Sequence, residues 1–155
     1  MSYGEQREHA QSSSYKDRTN SDFQKLGVRG VSIIFASGDS GSGCSLCIRY
    51  EPSFPATSPA CTSVGATRFQ QGSSGPEAAV KAFGSGGGFS WHFDQPAYQK
   101  TAVEHYLSKE DPPSGIHINK KGRATPDVAA LGIGYSVIVS PGSAPESIGG
   151  TSAST

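Results

Sequence analysis

Hydrophobic positions along this chain fall in short, separated clusters, and the spacing within each cluster predicts the element it forms. Between residues 11 and 29, Tyr15, Phe23 and Leu26 lie near one face of a 3.6-residue period. Ser12, Ser13 and Ser14 offer N-caps and Gly27 and Gly30 close the far end, so this stretch reads as an amphipathic helix. The run at 31–36, Val-Ser-Ile-Ile-Phe-Ala, is β-branched, apolar and short, as a buried parallel strand should be. It leads into a polar, glycine-rich loop at 37–43. Helix, tight turn, strand and loop make half of a βαβ unit, and in open α/β sheets ligands bind beyond the carboxyl ends of strands.

Downstream the pattern is more broken. Pro52, Pro55 and Pro59 prevent helix across 50–75, where loop and short strand are expected, including a second strand at 62–67. The glycine-rich stretch at 85–89 reads as flexible and precedes Trp91 and Phe93, which read as packing residues. A second helix is predicted at 96–109, with Asp94 as cap and Pro96 in its first turn. Tyr98, Ala102, Tyr106 and Leu107 supply its apolar stripe, and Pro112-Pro113 stops it. Residues 135–139 form the last predicted strand, leading to a serine-containing turn at the end of the sequence. Helix–strand alternation without an internal repeat predicts the α/β class, a parallel sheet flanked by helices.

Composition narrows the functional classes. At 155 residues and zero formal net charge the chain suits one medium domain, able to bury about 70% of its unfolded surface. An apolar fraction of 34%, with 20 glycines and 10 prolines, describes a loop-rich part of an α/β protein better than a complete compact domain. Neutral charge without a basic cluster argues against nucleic acid or an anionic membrane surface as the main partner. No apolar run approaches the ~18 residues that a membrane span needs. The first seven residues lack the apolar core of a signal peptide.

Cys44 and Cys47 form a Cys-x-x-Cys, with Cys61 further on. A zinc site wants four ligands, and His9, His92, His105 and His117 show no spacing that completes one. A thioredoxin-type pair would enter a helix, which 48–52 does not resemble. The odd count fits a disulfide whose partner lies outside the chain.

Three stretches can carry chemistry: the loop with Asp39, the glycines at 86–88, and the final seven residues Gly149-Gly150-Thr151-Ser152-Ala153-Ser154-Thr155. Small residues around Ser152 after a β-rich segment suit an exposed nucleophile on a strand-to-helix turn, although the sequence ends before such a helix is expected to form. Taken singly, each has a plainer reading as a solvated turn, a hinge or a helix cap. Asp127, beside Pro126, reads as a structural carboxylate bonding local backbone.

Their joint order is more specific. Phe35-Ala36-Ser37-Gly38-Asp39-Ser40-Gly41, Phe54-Pro55-Ala56-Thr57-Ser58-Pro59, Ser63-Val64-Gly65-Ala66-Thr67, Ser85-Gly86-Gly87-Gly88-Phe89-Ser90, Pro126-Asp127-Val128-Ala129-Ala130 and Gly150-Thr151-Ser152-Ala153-Ser154-Thr155 follow one another as in the sedolisins. The chain resembles these serine-carboxyl peptidases, closest to their lysosomal, tripeptide-releasing branch, over nearly its whole length and least at 68–82 and 114–121. The resemblance implies a partial subtilisin-like fold and makes Ser152 the nucleophile. It implies that Asp39 helps form the oxyanion hole, for which the carboxyl must be protonated, as burial or neighbouring carboxylates would favour. Ser85, Gly86 and Gly87 match a backbone edge that pairs with an extended peptide substrate.

The same resemblance implies parts that these residues do not supply. The family's base is a Glu, held by an Asp, on a helix ahead of the segment matching Ser2-Tyr3-Gly4, and Glu5, Glu8 and Asp17 do not match it. Its calcium loop follows the nucleophile, so no metal ligand is expected here. Cys44 matches a cysteine paired with one in the C-terminal remainder; Cys47 and Cys61 match none. The expectation is a peptidase portion, lysosomal by resemblance and inactive alone, that needs the remainder of its domain. The alternative is a truncated, non-catalytic product that binds peptide or a partner protein through 85–88. An ordinary subtilase is less apt, since none of the histidines lies in a Gly-rich His motif.

Overall fold

A computed structural model of the chain describes residues 1–44, 48–72, 74–109 and 116–155. Pro112-Pro113 and Cys47 therefore lie outside the described residues. The first helix, α1 (Ser13–Val28), begins where the hydroxyl of Ser12 accepts the Tyr15 N–H at 3.3 Å. It ends in a Schellman turn: Gly30, at φ 81°, donates to the Gly27 carbonyl while Val31 donates to that of Leu26. Phe23 on its inner face stacks on Phe35 with ring centroids 5.5 Å apart. With Ile33, Ala56 and the thiol of Cys61, these rings form the apolar core on that side of the sheet.

The strand expected at 31–36 is three residues long, β1 (Ile34–Ala36). β2 (Thr62–Gln71) outruns the predicted 62–67 and is the centre of a four-stranded sheet. Val64 of β2 is opposite both Ala36 of β1 and Val128 of β6 (Val128–Leu131), each pairing parallel, so β1 and β6 flank it. β3 (Ser74–Ala79) runs antiparallel along the far half of β2. The α/β class with a parallel sheet and flanking helices is thus the observed architecture.

β4 (Gly88–Asp94) and β5 (Gly122–Thr125) form an antiparallel pair. Asp94, expected to cap the second helix, is instead the last residue of β4, opposite Gly122. A 3-10 turn, Ala97–Gln99, follows Pro96 without any side-chain cap and runs into α2 (Lys100–Lys109). The ring of Pro96 fixes its own φ at −70° and leads the chain directly into the turn. The last predicted strand is β7 (Ile133–Val137), which pairs antiparallel with β8 (Glu146–Gly149) in a separate ribbon.

Several buried polar groups are joined in hydrogen-bonded networks. Arg123, fully buried in β5, donates to the carbonyls of Ser58 (3.3 Å), Cys61 (3.1 Å) and Ala124, and to Oδ2 of Asp127 at 2.5 Å. Asp127 Oδ2 also accepts the Ser63 N–H at 2.7 Å, and its Oδ1 accepts Gln99 Nε2 at 2.8 Å. A buried charge persists only when paired and hydrogen-bonded, and this network ties the 3-10 turn ahead of α2, β5 and the residue before β6 to the start of β2. At the other end Glu8, 1% exposed, accepts Ser90 Oγ at 2.6 Å and the Trp91 N–H at 2.7 Å, clamping the N-terminal segment to β4. Among the described residues no helix is long and apolar enough to cross a membrane.

Candidate active site

The site forms where two chain reversals meet. At the carboxyl end of β1 the backbone turns through Gly38 at φ 105°, where a Cβ would lie 2.3 Å from Ser53 Oγ. Only glycine permits that turn, and it presents Asp39. After β8 the chain passes through Gly150, at φ 153°, into a single helical turn, α3 (Thr151–Ser154). The expectation that no helix forms after the serine turn is therefore corrected: one turn is present, with Ser152 in it. Its hydrogen bonds run from Ala153 N–H to the Gly150 carbonyl and from the hydroxyls of Ser154 and Thr155 to the Thr151 carbonyl.

Asp39 joins the two reversals. Its Oδ1 accepts the Thr151 backbone N–H at 2.7 Å and the Thr151 hydroxyl at 2.9 Å. Thr151 Oγ1 in turn accepts the Gly38 N–H at 3.1 Å. Thr151 is buried, whereas Asp39 and Ser152 are exposed. Among the described residues no second carboxylate is a hydrogen-bond partner of Asp39.

The N-terminal segment runs beside β1, with the Met1 ammonium donating to the Ile34 carbonyl at 2.6 Å and the Ala36 N–H to that of Met1 at 3.1 Å. This places Ser2 against the Ser152 turn. Ser152 Oγ donates to the Ser2 carbonyl at 2.7 Å, and Ser2 Oγ donates back to the Ser152 carbonyl at 3.3 Å. No carboxylate or imidazole is a hydrogen-bond partner of Ser152 among the described residues. Two histidines are committed elsewhere: His9 to the buried carboxylate of Glu51 and His92 Nε2 to Asp17 at 2.7 Å. Burial, then the cations Arg49, Arg7 and Lys16, holds His9 below the usual histidine value.

Ser85, Gly86 and Gly87 lie on the other flank of the Asp39 loop. Their three N–H groups are all taken within the chain, by the carbonyls of Val80 (3.0 Å), Gly38 (2.6 Å) and Gly41 (3.3 Å). Ser85 Oγ accepts the Ala66 N–H at 2.8 Å. An extended peptide can pair with this segment only by donating to its carbonyls. The three residues border a cavity of about 650 Å³ that reaches Phe89, Tyr98 and Tyr106.

The structure therefore brings Asp39 together with the Ser152 turn on one side and with 85–87 on the other. Sequence reasoning missed Thr151 and Ser2, and the only local hint was a threonine wedged between Gly150 and the serine. Among the described residues no group of three or more His, Cys, Asp or Glu side chains is placed to hold a metal ion. The thiol of Cys61 is buried and points at the carbonyls of Pro55 and Ser58, both at 3.4 Å; burial pushes it up to about 11.

No protein-family model matches the chain. Its sequence aligns over its full length with tripeptidyl-peptidase 1 of Canis lupus familiaris and Bos taurus at 47% identity, and of Homo sapiens at 46%. The chain spans about 28% of the length of each of these curated relatives. Among solved structures, a Pseudomonas sedolisin, a serine-carboxyl proteinase complexed with two molecules of pseudo-iodotyrostatin, superposes with a TM-score of 0.69. That match covers 99% of this chain and 43% of the sedolisin chain, and at 22% identity it establishes the fold. Over its whole length the chain is thus similar to one stretch of tripeptidyl-peptidase 1, and it shares the fold of a sedolisin, a serine-carboxyl proteinase.

Proposed function

We propose that the chain is the nucleophile-bearing portion of a serine-type acid peptidase that releases tripeptides from the free N-termini of peptides. One observation carries the reading. Asp39 holds Thr151, 112 residues away in sequence, by two hydrogen bonds and so sets its carboxyl beside the neighbouring Ser152. In this mechanism Ser152 Oγ attacks the scissile carbonyl carbon while its proton passes to a base. The carbonyl oxygen becomes an oxyanion, which the protonated carboxyl of Asp39 stabilises by donating a hydrogen bond. Only a protonated carboxyl has a hydrogen to donate, so the chemistry calls for acid, in keeping with a lysosomal site of action.

The base is not among the described residues, since Ser152 Oγ is engaged by a backbone carbonyl. Residues 1–155 alone are accordingly proposed to be inactive: without a base the serine keeps the weak nucleophilicity of an ordinary hydroxyl. The calcium of the parent family does not fit these residues, which offer no cluster of ligating side chains among those described, and no step is routed through it. The Ser152–Ser2 contact also favours a second reading, in which the chain is a non-catalytic product that binds peptide or a partner protein along 85–88.

The test exchanges residues 1–155 for the matching stretch of human tripeptidyl-peptidase 1. The chimera should release tripeptides from a peptide with a free amino terminus at acid pH, and Ser152→Ala should abolish release. Turnover that survives Ser152→Ala rejects the reading. Peptide titration of the chain alone decides the second one: saturable binding without turnover supports it, and no binding removes it.

A further inference from the structure

We infer that Thr151 is a positioning residue that decides which oxygen of Asp39 faces the reacting carbonyl. The inference rests on the reading of Ser152 and Asp39 given above. A neutral carboxyl carries one proton on one of two oxygens, and only that oxygen can donate to an oxyanion. Here the two oxygens are not equivalent. Oδ1 accepts both the backbone N–H of Thr151 at 2.7 Å and its hydroxyl at 2.9 Å.

The hydroxyl has no freedom to do otherwise. It has a single proton, and the Gly38 N–H, donating to Oγ1 at 3.1 Å, occupies its accepting side. A proton on Oδ1 would oppose two donors already aimed at that atom, so a neutral Asp39 carries its proton on Oδ2. That oxygen has no partner among the described residues and lies over Gly150, 3.1 Å from where a Cβ would be. Glycine at 150 leaves Oδ2 uncovered beside Ser152. Thr151 thus acts through Asp39 by saturating one oxygen and leaving the other to the substrate.

The experiment places Thr151→Val, Thr151→Ser and Asp39→Ala in the chimera with human tripeptidyl-peptidase 1 and measures kcat, KM and Tm for tripeptide release at acid pH. Removing one oxyanion-hole donor outright costs roughly 100- to 1,000-fold in kcat, and losing its alignment should cost about 10- to 100-fold on the same scale. Thr151→Val should therefore lower kcat by that factor with KM held within about twofold, since the interaction is made in the transition state. Thr151→Ser, which keeps the hydroxyl, should restore kcat to within a few-fold of the parent. Parental kcat in Thr151→Val beside a lost kcat in Asp39→Ala overturns the inference and leaves the reading of the site standing. Parental kcat in Asp39→Ala overturns that reading and the inference together. A Thr151→Ser protein as slow as Thr151→Val, with the same fall in Tm, reduces Thr151 to a packing residue and overturns the inference. The unmodified 155-residue chain gives a second readout without turnover: Asp39→Ala should move the Thr151 amide proton upfield in a ¹⁵N-correlated spectrum, and an unmoved resonance overturns the inference.

Discussion

Gly86 donates its N–H to the carbonyl of Gly38 at 2.6 Å, and a Cβ on Gly86 would lie 2.1 Å from the Ser37 carbonyl oxygen. This contact welds the 85–87 segment to the loop that carries Asp39. The glycine is required because the obstacle is backbone, which cannot swing aside as a side chain can. Gly87 is less constrained, with its nearest obstacle, the Thr125 carbonyl oxygen, at 3.2 Å.

Gly86→Ala should therefore destabilise the chain by about 3 kcal/mol, at the upper end of the cost of overpacking, and Gly87→Ala by less than about half of that. Urea unfolding of the two variants beside the parent checks the order. Equal midpoints for Gly86→Ala and the parent would show that the 86–38 contact is not formed.

Asp127 and Arg123 give a second expectation. Arg123 is fully buried, and among the described residues Asp127 is its one acidic partner, at 2.5 Å. Asp127→Ala leaves a buried guanidinium uncompensated, which costs about 3–5 kcal/mol, and the Ser63 and Gln99 hydrogen bonds go with it. Thermal unfolding should show a large fall in Tm. A change too small to resolve would mean that the carboxylate does not anchor the network, reopening a chemical role for it.

Cys61 supplies a pH-dependent prediction. Its thiol is raised from 9.0 to about 11, chiefly by burial. The folded state holds this proton more tightly than the unfolded chain does, so the associated stability is complete below pH 9 and is lost as pH rises from 9 towards 11. The loss is at most about 3 kcal/mol, from roughly 1.4 kcal/mol per pKa unit. Denaturation of the parent and of Cys61→Ala across that range isolates the effect as a difference in pH slope. Below pH 9, a thiol-alkylating reagent should modify Cys61 about 100-fold more slowly in the folded chain than in urea, which peptide mapping by mass spectrometry reads directly. Equal rates in both states would contradict the burial.

Elements with a local cause were legible in the sequence. The α1 cap at Ser12 and stop at Gly30 are set by residues within one turn of the helix ends, and the β-branched apolar run at 31–36 contains the strand β1. Elements made by pairing were not. Every residue of β8 is exposed, and five of the six in β3 are exposed, so neither has an alternating pattern to read. β5 places its one charged residue, Arg123, in the fully buried position, the reverse of what patterning expects. The site divides the same way. Ser152, Asp39 and 85–87 stood out through motif order, whereas Thr151 and Ser2 act through contacts spanning 112 and 150 residues that no local spacing encodes.

In the proposed reading Ser152 Oγ is the nucleophile of a sedolisin-type peptidase and its activation comes from outside the described residues. A fluorophosphonate that bonds covalently to activated serines tests it most directly, with the modified residue located by mass spectrometry. In the chimera with human tripeptidyl-peptidase 1 at acid pH, the label should appear on Ser152 and release of tripeptides should cease in proportion, while the 155-residue chain alone stays unlabelled. Label on a different serine, or full turnover with Ser152 unmodified, would contradict the account.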